Sequence, residues 1–522
     1  MQQFVAKHAE HVIGTLSGFD RLVFRGTMRA LCSRGGLMSY LWALQVRLTE
    51  FAAHALKLTD QLKDASLSLA RQSGRPVQYL TSAASNKEDI ARRIAARDHI
   101  EQGLICVLTA VEPCWSFEIV RDRASKRIEA EPRYRKCLHL YHYQIDPQFG
   151  FMSARIQTWL PFRIQICVNG REWLARSMDA AGLHYVQRDN CFTWLEHPER
   201  VQQLMDQQLR SDWPVLLSEI ARRLNPLHDT MFAAFPMQYY WSTYQSEWAT
   251  DIMFGKAATL AHLYPRLVQH GLTTFLSPDV MRFLGRKAPP GGGLPRRLEA
   301  EVVSDVKRRP EGVRIKHRVG ENSVKMYDKQ GSVLRVETTI NDVDDFKTFR
   351  APENKPDAQP SWQRMRKGVA DLHRRAAVSQ TANDRYLQAL ASVEDTTSLG
   401  ELAARLCRPV QYQGRRVRAI NPYAPDDAAL LAAISRGEFT LNGLRNRDIR
   451  ALLFPKPARS QAEQKRQAAT VSRKLHLLRA HRLIRKVPHT HRYHLTKAGR
   501  IAVTALITAR NASTQELTKM AA

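Results

Sequence analysis

Cysteine is scarce in this sequence and follows no pattern. The seven cysteines are scattered over 522 residues, and no two of them form a Cys-x-x-Cys pair. An odd, unpatterned set argues against a disulfide framework and against a zinc ribbon. No uninterrupted apolar run reaches the length of a membrane span, and the opening segment MQQFVAKHAEHVIG lacks the apolar core of a signal peptide. We therefore expect a soluble, cytoplasmic protein with no membrane partner.

Motifs of several common catalytic families are missing as well. The segment FGKAAT at 254–259 lacks the upstream glycine of a Walker phosphate loop. No G-x-G-x-x-G, G-x-S-x-G or H-E-x-x-H pattern occurs. The sequence motifs therefore give no indication of a dinucleotide-binding enzyme, a serine hydrolase or a zinc protease of these types.

Positive charge is the strongest feature that is present. The net charge is +29 and the isoelectric point about 10.1, while hydrophobic residues make up 44% of the chain. That apolar fraction is enough for folded cores, and the length indicates two to four domains. Because the cations are clustered, we expect a polyanionic partner, DNA or RNA. A basic enzyme with no such partner is the alternative.

The order of strand-like and helix-like segments predicts an α+β multidomain protein. Two breaker segments, at 286–297 and 351–361, are expected to be linkers. The expected parts are a mixed N-terminal core at 1–285 with an antiparallel strand meander at 138–168, a second small antiparallel sheet of three strands at 298–350 that packs on the core sheet or stands alone, a helical connector at 362–406, and a C-terminal unit at 421–512.

The C-terminal unit has the pattern helix, helix, helix, strand, turn, strand, helix. The segment LLRAHRLIRKV, followed by HRYHLTKAGR, places a third helix at 461–480 directly before a β-hairpin. This order resembles the winged-helix DNA-binding domain of bacterial regulators, and the resemblance implies a helix in the major groove of duplex DNA and a wing on the phosphates. Residues 461–500 carry eleven Lys or Arg against one acid, Glu463. The expected DNA contacts are Arg466, Thr470, Arg473, Lys474, Arg485, Lys486 and Arg492.

Three alternating segments at 312–340 predict a sheet with one polar face. Strand periodicity places Arg314, Lys316, Arg318, Lys325, Tyr327, Arg335 and Glu337 on that face. Cations bind and polarise phosphate, a tyrosine among cations is expected to have a lowered pKa and to attack phosphorus, and a carboxylate can hold a metal. The candidate catalytic residues are Tyr327, Glu337, Arg335 and Lys316. A solvated face in which Arg335 and Glu337 are cross-strand partners is the alternative.

The same segment resembles part of a known catalytic domain. KMYDK followed by LRVET is similar to the end of the catalytic domain of rolling-circle replication initiators from plasmids and filamentous phages, in which a Tyr-Asp/Asn-Lys strand precedes an Arg-x-Glu strand. The resemblance implies a DNA-nicking activity, and the matching positions are Tyr327, Lys329, Arg335 and Glu337. The sequence lacks the two histidines, separated by one bulky residue, that many such initiators use for metal.

Two further segments carry candidate binding residues. The meander is expected to place His142, Gln144, Arg155, Gln157, Arg163 and Gln165 on one face, where Arg155 and Arg163 would bind RNA or single-stranded DNA. Residues 196–285 are expected to be mostly helical. On a helix at 238–251, Glu247 and Asp251 would lie beside Tyr240 and Tyr244, so that Glu247, Asp251 and Glu337 are the candidate ligands of Mg²⁺ or Mn²⁺. Aromatic core packing with exposed acids is the alternative.

These features support three hypotheses. The first is a DNA-acting protein of a mobile genetic element, of the replication initiator, nickase or transposase type. The second is a winged-helix transcriptional regulator without catalysis, and the third a non-catalytic scaffold that binds RNA or DNA. Convergence of acids among Asp20, Asp146, Glu247 and Glu337 in one basic cleft would favour an enzyme, whereas an apolar ligand pocket would favour a regulator.

Overall fold

The chain divides into two compact units in the computed structural model. The structure describes residues 1–121, 127–275, 277–286, 302–309, 312–352, 355, 357–391, 399–436, 439, 443–456, 458–488 and 490–511. Unit 1 comprises Met1–Thr273, Phe283–Arg286 and Val303–Ala391, and unit 2 comprises the described residues of Thr274–Arg282, Lys287–Val302 and Ser392–Ala522. The first expected linker lies outside the described residues except for Arg286, and the second lies partly outside them.

Both helices and strands are abundant, which confirms the mixed α+β class. The strands are β1 Val12–Thr27, β2 Val77–Leu80, β3 Gly103–Arg121, β4 Ile128–Asp146, β5 Gly150–Gln157, β6 Ile164–Asn169, β7 Tyr185–Arg188, β8 Cys191–Leu195, β9 Tyr240–Phe254, β10 Val302–Arg309, β11 Gly312–Val319, β12 Asn322–Lys329, β13 Val333–Ile340, β14 Lys347–Arg350, β15 Ser361–Arg364, β16 Val410–Tyr412, β17 Arg415–Val417, β18 Leu444–Arg445, β19 Ile484–Lys486 and β20 Arg492–Leu495.

The α-helices are α1 Gln2–Lys7, α2 Arg34–Ala43, α3 Phe51–Gln72, α4 Lys87–Arg97, α5 Gly170–Ala180, α6 Pro198–Gln207, α7 Trp213–Leu224, α8 His228–Met231, α9 Ala257–Thr273, α10 Ser277–Phe283, α11 Leu372–Leu390, α12 Leu399–Leu406, α13 Pro425–Ile434, α14 Asn446–Leu453, α15 Gln461–Ala480 and α16 Lys497–Asn511. Short 3-10 turns lie at Ala30–Cys32, Leu48–Glu50, Gln208–Arg210 and Val369–Asp371.

One large sheet organises unit 1. Its described strands follow the order β10-β11-β12-β13-β9-β1-β6-β5-β4-β3-β2, and the registered pairs are antiparallel except for β2 with β3. The meander β4-β5-β6 and the three strands β11, β12 and β13 are confirmed. The three strands do not stand alone, because β13 pairs with β9 along its whole length.

The helix predicted at 238–251 is wrong, because this segment forms most of β9. Tyr, Trp and Thr are abundant in it and favour strands, and backbone pairing with β1 on one side and β13 on the other holds it extended. A spacing of four residues keeps two side chains on one face of a strand as well as of a helix. Glu247 and Asp251 therefore still share a face.

The two faces of this sheet have different environments. One face carries the main apolar core, in which Leu22, Phe24 and Ile166 pack together with residues of α2, α3, α7 and α11. Each such fully buried side chain contributes about 1.5–3 kcal/mol of transfer free energy. The other face, which we call the polar face, is covered at one end by α5, α6, β7 and β8 around Leu16 and Met253, and at the other end by α4. Ionisable side chains occupy the region between these two covers.

Unit 2 has a small core of its own. The helices α12 to α16 and the three-stranded sheet β18-β20-β19 enclose it. The apolar stripe predicted for the helix at 461–480 is confirmed, since Val471, Leu475 and Leu478 of α15 are buried. Among the helices of the described residues, none combines the length and the apolar character needed to cross a bilayer.

Candidate active site

The candidate site lies in the middle of the polar face. Strand register aligns ionisable residues of four neighbouring strands there: Lys316, Lys325 and Glu337 in one row, and Arg314, Tyr327, Arg335 and Asp251 in the next. Directly opposed residues of antiparallel strands project from the same face, so these side chains are neighbours. The division of faces predicted from the alternation at 312–340 is confirmed.

Three carboxylates from three different strands meet on this face. Asp20 belongs to β1, Glu247 to β9 and Glu337 to β13, and one oxygen of each lies within 4.8 Å of an oxygen of the others. Asp20 is the extra residue of a bulge in β1, because Phe19 and Arg21 pair with consecutive residues of β9. The convergence expected of an enzyme is therefore present for these three acids.

Asp146 does not belong to this acidic group. Its carboxylate accepts hydrogen bonds from the backbone N–H groups of Gln148 and Phe149, at 2.9 and 3.2 Å, and so closes the turn between β4 and β5. Its other oxygen pairs with Arg223 at 3.1 Å. These contacts give Asp146 a structural role in the turn.

Arg335 and Asp251 form the buried base of the site. The Arg335 guanidinium donates to both oxygens of Asp251, at 2.6 and 2.8 Å, and lies 3.3 Å from Asp20. It also donates to the backbone carbonyl of Asn190 at 2.7 Å, and the Asn190 amide donates to Asp20 at 2.8 Å. Arg171, in the first turn of α5, pairs with Asp251 at 3.1 Å. Asp251 was predicted to be a metal ligand, but both of its carboxylate oxygens are paired with arginines. Asp20, and not Asp251, is the third acid beside Glu247 and Glu337.

Glu337 is held in its ionised form by its neighbours. Lys325 donates to it at 2.6 Å, and the Tyr327 hydroxyl donates to its other oxygen. Burial alone would raise the pKa of Glu337, but Lys325, the two hydrogen bonds and Arg335 outweigh burial and lower its pKa to about 2. Lys325 also lies 3.4 Å from Glu247, so one ammonium group bridges two of the three carboxylates.

The other two carboxylates are less well compensated. Burial, followed by the charge of Glu337, raises the pKa of Glu247, and Lys325 only partly offsets this. Burial also raises the pKa of Asp20, with Glu337 adding to the effect and Arg335 opposing it. A divalent cation among the three oxygens would relieve this crowding, since Mg²⁺ and Mn²⁺ prefer carboxylate ligands.

Among the described residues, two oxygens at the site are poorly satisfied. The buried Asp20 Oδ1 atom has the Arg335 guanidinium as its ion-pair partner at 3.3 Å but accepts no hydrogen bond from it. Thr339 pairs with Glu247 across the sheet, is 4% exposed, and its hydroxyl has no hydrogen-bond partner in the part of the chain that the structure describes. An unsatisfied buried hydroxyl costs about 1–3 kcal/mol. A ligand that uses this hydroxyl would recover the cost.

Access to the site is from the side of Glu247 and Lys325. Their side chains are 18% and 14% exposed, whereas those of Asp20 and Glu337 are 6% and 3% exposed. The turn between β7 and β8 lies over the buried side, where Asp189 pairs with Lys329 of β12 at 3.0 Å. As far as the described residues go, the site is therefore closed on one side and open toward the part of the polar face between the two covers.

Tyr327 does not have the lowered pKa predicted from its cationic neighbours. The side chain is 7% exposed and donates its proton to Glu337. Burial, followed by the charge of Glu337, raises its pKa well above the usual value, and Arg335 opposes this only in part. A neutral, buried phenol is a poor nucleophile. In the structure, the Tyr327 hydroxyl fixes the position of the Glu337 carboxylate through its hydrogen bond.

The remaining predicted residues of unit 1 are spread more widely. Lys316 lies on the polar face opposite Lys325, at the outer edge of the group. The set predicted for one face of the meander is divided by the register, because His142 pairs with Ala154 while Arg155 pairs with Gln165. His142 and Gln144 are consequently on the apolar face, and His142 is buried, with a ring nitrogen 3.1 Å from the Ser66 hydroxyl.

The predicted DNA contacts lie on unit 2 with varied exposure. Arg466, Arg473, Arg485 and Lys486 are exposed, whereas Thr470, Lys474 and Arg492 are half-buried. The Lys474 ammonium lies 3.4 Å from the carbonyl and 4.0 Å from the carboxylate of Asp426. Arg466 and Arg473 on α15 are thus the better-placed cations for a partner.

Sequence reasoning missed Arg171 and Asn190. It named Asp20 only as one of four acids whose convergence would favour an enzyme, and not as a metal ligand. An acid inside the strand-like run FDRLVFRG is the signal that would have found Asp20, since burial of a charge in a central strand needs a specific partner. Arg171 and Asn190 carry no such signal, because their partners are far away in the sequence.

Comparisons of the chain with protein-family models, curated proteins and solved structures return no match. The geometry of the site itself is therefore the basis for assigning a function to this chain.

Proposed function

We propose that unit 1 is an enzyme that cleaves phosphodiester bonds of nucleic acid with a divalent metal ion, and that unit 2 is a winged-helix domain that binds duplex DNA. The observation that supports catalysis most strongly is the convergence of Asp20, Glu247 and Glu337 from three strands. Lys325 stands beside them. Burial raises the pKa values of Asp20 and Glu247, whereas Lys325 and the hydrogen bonds to Glu337 outweigh burial and lower the pKa of Glu337. Such opposed perturbation is typical of catalytic acids and bases.

The chemistry follows from the residue types. A Mg²⁺ or Mn²⁺ ion held by the three carboxylates would polarise a phosphate oxygen and lower the pKa of bound water. The attacking water would lose a proton to solvent and its oxygen would form a bond to phosphorus, while the bond from phosphorus to the leaving ester oxygen would break and that oxygen would take up a proton from solvent. Lys325 is placed to offset the negative charge that develops on the phosphate.

Hydrolysis fits this site better than a covalent tyrosine intermediate. Tyr327 is buried and donates a hydrogen bond to Glu337, and burial raises the pKa of its hydroxyl well above the usual value. It lacks both the exposure and the acidity that a tyrosine nucleophile needs. The proposed enzyme therefore resembles a metal-dependent nuclease or transposase more than a rolling-circle initiator, and a protein of a mobile genetic element remains the class we favour.

The order of elements in unit 2 supports the winged-helix assignment. A helix, a short strand, two helices, a two-stranded hairpin and a last helix follow one another as α13, β18, α14, α15, β19, β20 and α16. β18 completes the hairpin into a three-stranded sheet. In this arrangement α15 is the helix for the major groove, and it presents Arg466 and Arg473 to solvent.

The double variant Arg466→Ala/Arg473→Ala is expected to weaken duplex binding by the full chain. Each lost phosphate contact should flatten the slope of log affinity against log salt by about 0.9. Fluorescence anisotropy with a labelled duplex at several salt concentrations measures both quantities. Arg405→Ala, on an exposed position of α12, is the matched control. Equal affinity of the double variant and the control at every salt concentration would remove α15 from the DNA interface.

One observation favours a second candidate function. Lys325 and Tyr327 already satisfy Glu337, so the charged cluster could be a structural ion-pair network in a regulator that only binds DNA. In that case duplex binding through unit 2 persists and no metal-dependent reaction occurs.

A cleavage assay separates the two candidates. Purified full-length protein is incubated with end-labelled single-stranded and duplex DNA and RNA, with Mg²⁺, Mn²⁺ or EDTA. We expect products only with the divalent ions, and no protein–DNA adduct on denaturing gels. Protein that binds duplex DNA but leaves every substrate intact with both metals would support the regulator instead.

A further inference from the structure

Positive charge continues along the polar face beyond the three carboxylates. Arg21 pairs with Glu247 across β1 and β9, so this cation is next to the site. Arg25 follows on the same face of β1, four residues or about 13 Å further on. Arg25 pairs with Gln165 of β6, and Gln165 pairs with Arg155 of β5. The cations therefore form a line that begins at the site and crosses three strands.

Exposed aromatic rings accompany this line of cations. The Arg25 guanidinium lies 3.8 Å from the ring centroid of Tyr244, and that of Arg29 lies 3.4 Å from the ring centroid of Tyr240. Tyr244 is 46% exposed and Tyr240 is 37% exposed. Each ring has one face covered by a guanidinium, which leaves ring surface for stacking. We call Arg21, Arg25, Arg29, Arg155, Arg163, Tyr240 and Tyr244 the arginine–tyrosine strip.

The cations of the strip are close enough to repel one another. Burial lowers the pKa of Arg25 most, Tyr244 partly opposes this, and the charges of Arg163 and Arg155 lower the pKa further. Arg155 has Glu112 at 3.4 Å, and Arg21 has Glu88 at 3.9 Å. Both pairs are long for ion pairs and leave donor capacity on the guanidinium groups. A chain of phosphates would neutralise this cluster.

We propose that the arginine–tyrosine strip binds a single-stranded segment of DNA or RNA and leads it to the three carboxylates. This proposal extends the proposed function, because it assigns a single-stranded substrate to the same site. The role of the three carboxylates in it rests on that proposed function. Arginines suit the phosphates of either strand form, but the tyrosine rings suit only unpaired bases, whose faces are free for stacking. In a duplex the base faces are covered by their neighbours.

The test uses full-length protein and labelled oligothymidylate or oligouridylate in EDTA, so that no cleavage occurs. Two stacking rings are worth about 1–3 kcal/mol each, and 1.4 kcal/mol is a tenfold change in affinity. Tyr240→Ala/Tyr244→Ala is therefore expected to weaken single-strand binding at least tenfold and to leave blunt duplex binding unchanged. The matched control Tyr240→Phe/Tyr244→Phe keeps the rings and should keep the affinity.

A second variant covers the case in which the alanine protein fails to fold. Arg25→Gln/Arg155→Gln should retain the fold, because both positions lie opposite the apolar core, and should flatten the salt slope for single strands by about 0.7 per lost contact. Unchanged single-strand affinity in both double variants would overturn the strip. Loss of binding in these variants, with no cleavage of any substrate by wild-type protein, would support the strip and count against the proposed enzyme. Cleavage of nucleic acid by a wild-type protein that binds no single strand would support the proposed enzyme and overturn the strip.

Discussion

Replacement of Arg335 by methionine is expected to lower the free energy of unfolding of unit 1 by about 3–5 kcal/mol. The Arg335 side chain is fully buried and pairs with Asp251 and Asp20. Methionine fills similar space but leaves these two carboxylates with much less compensation in the interior. Breaking one side of a buried ion-pair network costs more than removing both sides. Arg335→Met/Asp251→Asn should therefore be less destabilised than Arg335→Met alone.

Urea unfolding followed by tryptophan fluorescence measures this loss in the full chain. All nine tryptophans belong to unit 1, so the signal reports that unit without interference from unit 2. Arg133→Met, at a side chain that is 64% exposed, is the matched control and should unfold like wild type. An unchanged urea midpoint for Arg335→Met would show that the network contributes nothing to the fold.

Asp20→Asn and Glu247→Gln are each expected to reduce metal-dependent cleavage at least about 100-fold. Loss of a residue that only supports a metal ligand already lowers metal affinity or activity by about 10–100-fold. These two changes instead remove the negative charge of a proposed ligand itself. Because burial and neighbouring carboxylates raise the pKa of both acids, a neutral amide relieves repulsion. Both variants should therefore stay folded. Initial cleavage rates with Mg²⁺ and Mn²⁺ measure the effect.

Two controls accompany this assay. Asp60→Asn changes an exposed acid of α3 and should cleave at the wild-type rate. Tyr327→Phe removes the hydroxyl that donates to Glu337 and keeps the ring, so that hydrolysis by water predicts a loss of about tenfold or less. Complete loss of cleavage in Tyr327→Phe, together with a covalent adduct in wild type, would make the tyrosine the nucleophile after all.

The local part of the site was predictable from sequence. Period-two alternation at 312–340 placed Lys325, Tyr327 and Glu337 on one face, and the register of β12 and β13 confirms it. Local alternation fixes which face a side chain takes, because successive residues of a strand point to opposite sides. Local alternation cannot show which strand pairs with the free edge of β13. That strand is β9, whose residues lie about 85 positions away in the sequence.

The non-local part of the site was predicted only in part, for identifiable reasons. Glu247 and Asp251 have a spacing that suits a helix and a strand equally, and only the pairing partners decide between them. Asp20 enters the site through a bulge, and nothing in the sequence around it marks an extra residue. His142 and Arg155 were placed on one face, whereas the register of β4 and β5 pairs His142 with Ala154, so Arg155 lies on the opposite face.

Metal binding is the most direct test of whether Asp20, Glu247 and Glu337 together hold a divalent cation. Mn²⁺ is titrated into full-length wild-type protein and into Asp20→Asn/Glu247→Gln, and free Mn²⁺ is followed by its electron paramagnetic resonance signal. We predict that wild type binds Mn²⁺ at a site from which Mg²⁺ displaces it, and that the double variant loses this site while its tryptophan fluorescence stays native. Equal Mn²⁺ binding by the two proteins, or none by wild type, would contradict the account.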